Sequence, residues 1–366
     1  MLRIFTRRSR DVSYFTGDRA LELDGVRDGG PGWWLRGSGD CVSASDVAHV
    51  LTGTERSAVK GYDLVFAAPR PISILVAIAP EHARAVIDAH RASVAASVDY
   101  LEDRALVVRD RRGGLDRDER GRWSEIVSFT HGVNRHAEPH LHDHVLVGAR
   151  AEHARSVLDS RALFAHARSA DALYRSTLRH ELAQRTPWTA WRSFEGTEHV
   201  AGLDEGYRAL WAGHSAERGV KTQRGRDEIV ALWQSDRTRF QSIGALVVPQ
   251  RGASDFDEHS FAGAFEGSAG VTRRHIVIAW ANAARFGQNA ASILGSIDDL
   301  YPELRHSRGV REVSLSIERA RMTRHVREAG PRPLERSELR QWSHAPLDRS
   351  DRSDRSDRSA RTERSR

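Results

Sequence analysis

The chain is 366 residues long, enough for one large core or two modest ones. A net charge of +6 and a pI near 9.9 point to a partner made of phosphates. The single cysteine, Cys41, excludes an intrachain disulfide and a cysteine zinc cage, and the longest apolar run, residues 74–79, is too short to cross a bilayer.

In chain order, the N-terminal stretch MLRIFTRRSRDVSYF has no apolar segment of signal-peptide length, and a short first strand carrying Tyr14 is expected there. Trp33-Trp34 lie between Gly-rich stretches and read as an exposed aromatic pair, a candidate stacking platform. Residues 62–66 read as a strand, and residues 73–79 begin a buried segment. Residues 81–103 have helical periodicity, with Val86, Ile87, Val94 and Val98 on one face. Residues 109–121 read as a charged hairpin or loop, and residues 123–131 as a strand. Residues 171–185 form an expected helix stopped near Pro187, followed by a Gly- and Ser-rich loop over residues 241–270. Thr272 is an expected N-cap for a helix ended by Gly287, with a second short helix over residues 292–300. Such a pair reads as ordinary packing more often than as a helix-turn-helix. Residues 348–359 are four copies of Asp-Arg-Ser, a composition that cannot pack and is expected to be disordered.

The chemistry concentrates in FTHGVNRHAEPHLHDH, residues 129–144. His142 and His144 are two apart and lead into Val145-Leu146-Val147, so a strand would put both imidazoles on one face. A third histidine would complete a tridentate metal site with open positions. His140 offers it on the same strand, and His131 offers it across a hairpin closed by the turn-forming NRHAEP. Asp63 sits in the apolar run Asp63-Leu64-Val65-Phe66, where a carboxylate needs a partner.

Phe129-Thr130-His131, Arg135 and Pro139-x-Leu141-His142-x-His144-Val145 resemble the three-histidine motif of the MobF-type, TrwC-like conjugative relaxases of the HUH endonuclease superfamily. Residues 61–73, GYDLVFAAPRPIS, are similar to that family's GYDLTFSAPKSVS element, with Arg for Lys at 70 and Pro for Ser at 71. Residues 158–164 and 172–179 resemble the segment after the histidines, and Thr272-Arg273-Arg274 resembles the late relaxase region. The resemblance covers roughly residues 1–300 and is weak between about 20 and 55.

The resemblance implies an α+β palm, a central antiparallel sheet flanked by helices, followed by helical fingers. It selects His131, His142 and His144 as metal ligands, with Mg, Mn, Zn, Ni or Co as the divalent ion. It implies Tyr14 as nucleophile, Phe15 standing where a second tyrosine is common, and Asp63 as the carboxylate that orients a ligand histidine or helps deprotonate Tyr14. Arg70, Arg135, Arg273 and Arg274, inside the matched segments, join Trp33 and Trp34 as expected DNA contacts. The expected reaction nicks and rejoins single-stranded DNA at an origin of transfer through a 5′-phosphotyrosyl intermediate, in the bacterial cytoplasm and without a membrane partner. Neither Lys60 nor Lys221 stands in a Walker A loop, so a relaxase module without a helicase is expected, working with a separate helicase and accessory transfer proteins. The expected division is a palm over residues 1–240, fingers over 241–310, a helical extension over 311–347 and a tail over 348–366. The alternatives are a degenerate, non-catalytic single-stranded DNA-binding module, and a rolling-circle replication initiator. A metal-dependent hydrolase unrelated to DNA would fit the histidines but not the contexts of Tyr14 and Asp63.

Overall fold

The computed structural model describes residues 1–12, 15, 33–37, 44–51, 58–112, 115–134, 136–152, 157–193, 195–203, 226–239, 256–308 and 312–321. Tyr14, Arg135 and the tail over residues 348–366 lie outside the described residues. All described residues belong to one compact unit, residues 1–330.

The alternation of Leu2 and Ile4 with Arg3 and Phe5 makes a half-buried strand, β1 (Leu2–Arg7). It ends before Tyr14, so the first strand does not carry that residue. Past Arg7 the run Arg8-Ser9-Arg10 has no apolar side chain to turn inward. Then come β2 (Trp33–Arg36), α1 (Ala44–Val50), β3 (Gly61–Ala67), α2 (Arg70–Ile78) and α3 (Ala83–Ala105). The charged segment is a hairpin of β4 (Val107–Arg112) and β5 (Leu115–Arg120), and β6 (Ile126–Val133) and β7 (Pro139–Gly148) carry the histidines.

Helix α4 (Ser160–Arg185) starts well before the expected residue 171. Asp159 caps it, its carboxylate accepting from the Arg161 amide at 3.1 Å, and the buried stripe already runs through Ala162, Leu163 and His166. A small hairpin of β8 (Ala190–Arg192) and β9 (Glu198–Val200) and the helix α5 (Arg226–Arg239) follow. Part of the expected loop is the short helix α6 (Glu258–Gly263), begun by Asp257, whose side chain accepts from the Ser260 amide at 3.0 Å. The final described elements are β10 (Val271–Thr272), α7 (Arg273–Ala283), α8 (Ala290–Leu300), β11 (Ser314–Leu315) and α9 (Ile317–Ala320). Thr272 is the N-cap of α7, as expected, and Gly287 has φ +82° where a Cβ would meet the Ser176 carbonyl. Helix α7 turns its apolar face onto α4, so the last helices pack in the ordinary way.

The main sheet has the order β1-β3-β7-β6-β2, with every neighbouring pair antiparallel. One face, with Leu64, Phe66, Val145 and Val147, joins α2, α3 and α4 in the large core. The opposite face holds a smaller cluster in which Val47, Val50 and Leu51 cover Val127, Phe129 and Leu146. Gly61 permits this: a Cβ there would meet the Val147 carbonyl oxygen at 2.4 Å and the Leu51 side chain at 2.6 Å. No described helix is long and apolar enough to cross a membrane.

Candidate metal centre

Register brings the three histidines together. His131 on β6 pairs directly with His142 on β7, and His144 pairs with Phe129. Residues two apart on a strand share a face, and so do directly paired residues across strands, so His131, His142 and His144 project from one side of the sheet. Their ring centroids lie 5.2, 5.2 and 5.3 Å apart, and one ring nitrogen from each falls within 4.8 Å of the others. Among the described residues this is the group found able to hold a metal ion. Of the two candidates for the third position it includes His131 and not His140, although the His140 ring remains 4.7 Å from that of His142.

The far nitrogens of two rings are already engaged. The His142 Nδ1 lies 2.8 Å from the His140 carbonyl oxygen, which can only accept, so Nδ1 carries the proton and Nε2 keeps its lone pair. The His144 Nδ1 lies 3.0 Å from both oxygens of Asp63, a buried carboxylate on β3. A carboxylate behind a histidine fixes its tautomer and makes it a better ligand. Burial, then the neighbouring His140 and His131, hold the His142 imidazole well below its ordinary pKa, which keeps it neutral. Burial and then the Arg70 guanidinium push His140 down to about 4. Three imidazoles on one side, two with their other nitrogen tied back, fit a divalent transition ion and leave its remaining positions open.

The surroundings hold the two ligand strands in place. Asn134 Oδ1 accepts from the His136 and Glu138 amides across the β6–β7 turn, and Glu138 pairs with Arg70 at 3.2 Å. Ala137 in that turn has φ 62°, a strained value for a residue with a Cβ, and its carbonyl accepts from the buried Trp233 indole at 2.8 Å. Ser73 of α2 accepts from the Leu141 amide at 3.1 Å, which fixes β7 between His140 and His142. Phe15, buried at 3 %, stacks on Phe129 at 5.2 Å and meets His144 edge-on at 5.2 Å.

On its other face, β7 carries a group that the sequence reading missed. Asp143 is fully buried and receives His90 Nε2 at 3.1 Å and the Ser128 hydroxyl at 2.8 Å. The His90 Nδ1 continues to the Tyr174 hydroxyl at 2.8 Å. Burial alone would raise the Asp143 carboxyl; His90, Arg91 and Ser128 outweigh it and hold the group well below the usual carboxylate range. The available signal was parity, because a residue between His142 and His144 must face the other way, among apolar side chains, and needs a partner there.

Residues 35–217 match the family described as TrwC relaxase, half of the chain. The chain belongs to the TrwC relaxase family. Its fold resembles that of a TrwC relaxase solved with oriT DNA in a copper-bound form, at 23% identity and a TM-score of 0.54 over 66% of this chain and 99% of that one. A metal-bound TrwC–DNA complex matches at 21% identity and a TM-score of 0.53, also over 66% and 99%. TrwC complexed with a 27-mer containing a recognition hairpin and cleavage site matches at 21% and 0.52, with the same shares covered. No curated protein matches the chain.

The other expected site residues are dispersed. Arg70 opens α2 at the rim of the histidine group, half-buried and paired with Glu138. Trp33 is not an exposed platform. It pairs with Ser128 on edge strand β2, on the sheet face opposite the three histidines, donates to the Thr130 hydroxyl at 3.2 Å and lies under the Arg91 guanidinium. Trp34 pairs with Val127 in the backbone register. Arg273 is fully buried and paired with Asp298, and Arg274 is paired with the buried Glu312, so internal ion pairs occupy both. A cavity of about 290 Å³ lined by Arg192, Asp257, His275, Asn282 and Arg285 contains none of the three histidines.

Proposed function

We propose that this family member is a metal-dependent relaxase that nicks one DNA strand at an origin of transfer and rejoins it. The carrying observation is the group of three converging imidazoles, held by Asp63 and the His140 carbonyl on a sheet of the relaxase type. His131, His142 and His144 would hold the ion, which when bound supplies a Lewis acid for a non-bridging phosphate oxygen. The solved relatives that contain oriT DNA support DNA as the substrate.

Tyr14 is our proposed nucleophile. The support is covalent adjacency: it precedes Phe15, whose ring touches His144. Its phenol oxygen would attack phosphorus in line and lose its proton, while the bond to the 3′ oxygen breaks and that oxygen is protonated. The product is a 5′-phosphotyrosyl ester and a free 3′-hydroxyl, and because the ester keeps the phosphodiester energy, the step reverses. An ordinary phenol has a pKa of about 10 and needs help to ionise. Of the two roles open to Asp63, its bonds to His144 support orientation of the ligand rather than abstraction of that proton. Arg70 and Arg135 are proposed to meet DNA phosphates near the site. Work on DNA places the protein in the bacterial cytoplasm in this reading.

The test uses labelled single-stranded oligonucleotides from the DNA flanking the gene, with Mn²⁺, resolved on a denaturing gel. A covalent adduct in the wild type that vanishes in Tyr14→Phe is the expected result. DNA and metal binding with no adduct from any flanking oligonucleotide would instead identify a binding module that has lost its chemistry.

A further inference from the structure

The edge strand β1 has an unusual outer face. Leu2 and Ile4 turn to the large core, which leaves Arg3, Phe5 and Arg7 on the side of the three histidines. The register makes this explicit. Arg3 pairs with Val65, which pairs with His144, so one cross-strand row runs from Arg3 to a metal ligand. The two Cα positions are two strand spacings, about 10 Å, apart. Phe5 pairs with Asp63, the carboxylate that holds His144. Arg7 sits 5.3 Å over Phe15, which itself contacts His144.

Phe5 is 49% exposed, among the largest exposed apolar side chains of the described residues, and Arg3 is exposed. Charge alone on an edge strand is a common guard against edge-to-edge pairing. A half-exposed phenyl between two arginines is not, since it adds the apolar contact such a guard exists to avoid. The alternation cation–ring–cation, with about 6.7 Å between side chains two apart, suits an extended nucleic-acid strand that presents phosphates and a base in turn. Four arginines and no acid fall in the first ten residues, and the face is continuous with the metal centre.

We propose that β1 is a rail for the single-stranded DNA beside the scissile phosphate, with Phe5 stacking one base and Arg3 and Arg7 holding phosphates on either side. This rests on the relaxase reading for its substrate. A second copy of the chain adding its own strand at this edge is the competing occupant, and its arginines would repel these.

The test measures fluorescence anisotropy of labelled dT20 with the full chain, as wild type, Phe5→Ala, Phe5→Trp and Arg3→Gln, across a salt series. Phe5→Ala should weaken binding about tenfold, and Phe5→Trp should restore it, as stacking requires. Arg3→Gln should reduce the slope of log affinity against log salt by about 0.7, the value for one phosphate on a single strand, whereas Phe5→Ala should leave the slope unchanged. Calorimetric Mn²⁺ affinity should be the same in all four proteins, because none of the changes touches a ligand. Unchanged dT20 binding and slope in Phe5→Ala and Arg3→Gln overturns the rail, as does a wild type that does not bind dT20. A wild-type dimer that Phe5→Ala turns into a monomer overturns it too, in favour of a second copy. If the wild type forms the tyrosyl adduct while the β1 variants bind normally, only the rail fails. If no adduct forms but Phe5→Ala still weakens dT20 binding, only the nicking reading fails.

Discussion

Strand β7 carries an aspartate–histidine pair on each face, and the two are put to opposite uses. On the open face Asp63 reaches across from β3 to the Nδ1 of His144, whose ring belongs to the group of three that could hold a metal ion. On the sealed face Asp143 belongs to β7 itself, takes His90 from α3, and both nitrogens of that ring are consumed, by Asp143 and by Tyr174. The same two side chains thus orient a candidate ligand on one face and make a structural pin on the other. Exposure does not separate them well, since Asp63 is buried at 6% and Asp143 at 0%. The difference lies in the company each imidazole keeps: two further histidine rings beside His144, a tyrosine hydroxyl beside His90.

Variants can test how separable the two faces are. The largest effect is expected from His131→Ala, His142→Ala or His144→Ala. Each should lose Mn²⁺ binding by calorimetry and lower adduct formation by about a thousandfold or more, the scale of several kcal/mol of Lewis-acid stabilisation. The melting temperature should hold, because removing one ring leaves the sheet's backbone pairing and the large core intact; a collapse on melting would show that the histidines are structural after all. His90→Leu should do the reverse. It strands the Asp143 charge in the core and should cost about 3 kcal/mol of unfolding free energy, read from urea midpoints. The double variant His90→Leu with Asp143→Leu should recover part of that loss, because an apolar pair leaves no charge unpaired.

Asp63→Asn should fall between these extremes, with metal affinity lowered about 10–100-fold and stability nearly unchanged. Equal losses of stability in Asp63→Asn and His90→Leu would erase the distinction between the faces. The smallest effect belongs to Asp99, at the margin of the sealed side, where burial raises the carboxyl to about 6 against the opposing pull of Arg36. The folded state then holds this proton more tightly than the unfolded one. Its contribution is therefore complete below about pH 4 and is lost as pH rises through about 6. Urea midpoints of Asp99→Asn should lack that part of the wild type's decline between pH 4 and 7.

The open face was more legible in the sequence than the sealed one, for a physical reason. His142 and His144 two apart before an apolar run announce a shared face through the strand period, and the turn residues between His131 and Pro139 announce a hairpin that offers His131 as a third ring beside the alternative His140. Those signals are local. The His90–Asp143 bond joins residues 53 apart, and His90 sits in a helix whose apolar stripe gives no hint that one of its members is a pin. Trp33 misled because flanking glycines suggest a loop, whereas edge pairing with β6 turns its indole inward to Thr130. The late start assigned to α4 overlooked Asp159, whose capping bond is a signal written in the sequence.

The line from Ser128 through Asp143 and His90 to Tyr174 also has a direction. A carboxylate only accepts, so the Ser128 hydroxyl and the His90 Nε2–H both point their protons at it, and the His90 Nδ1 and the Tyr174 hydroxyl share a further hydrogen bond. These hydrogens are shut away from water, so they should exchange slowly and give sharp, downfield proton resonances. Such signals would be present with or without bound metal or DNA, and would serve as a built-in spectroscopic marker of an intact sheet while the other face is titrated.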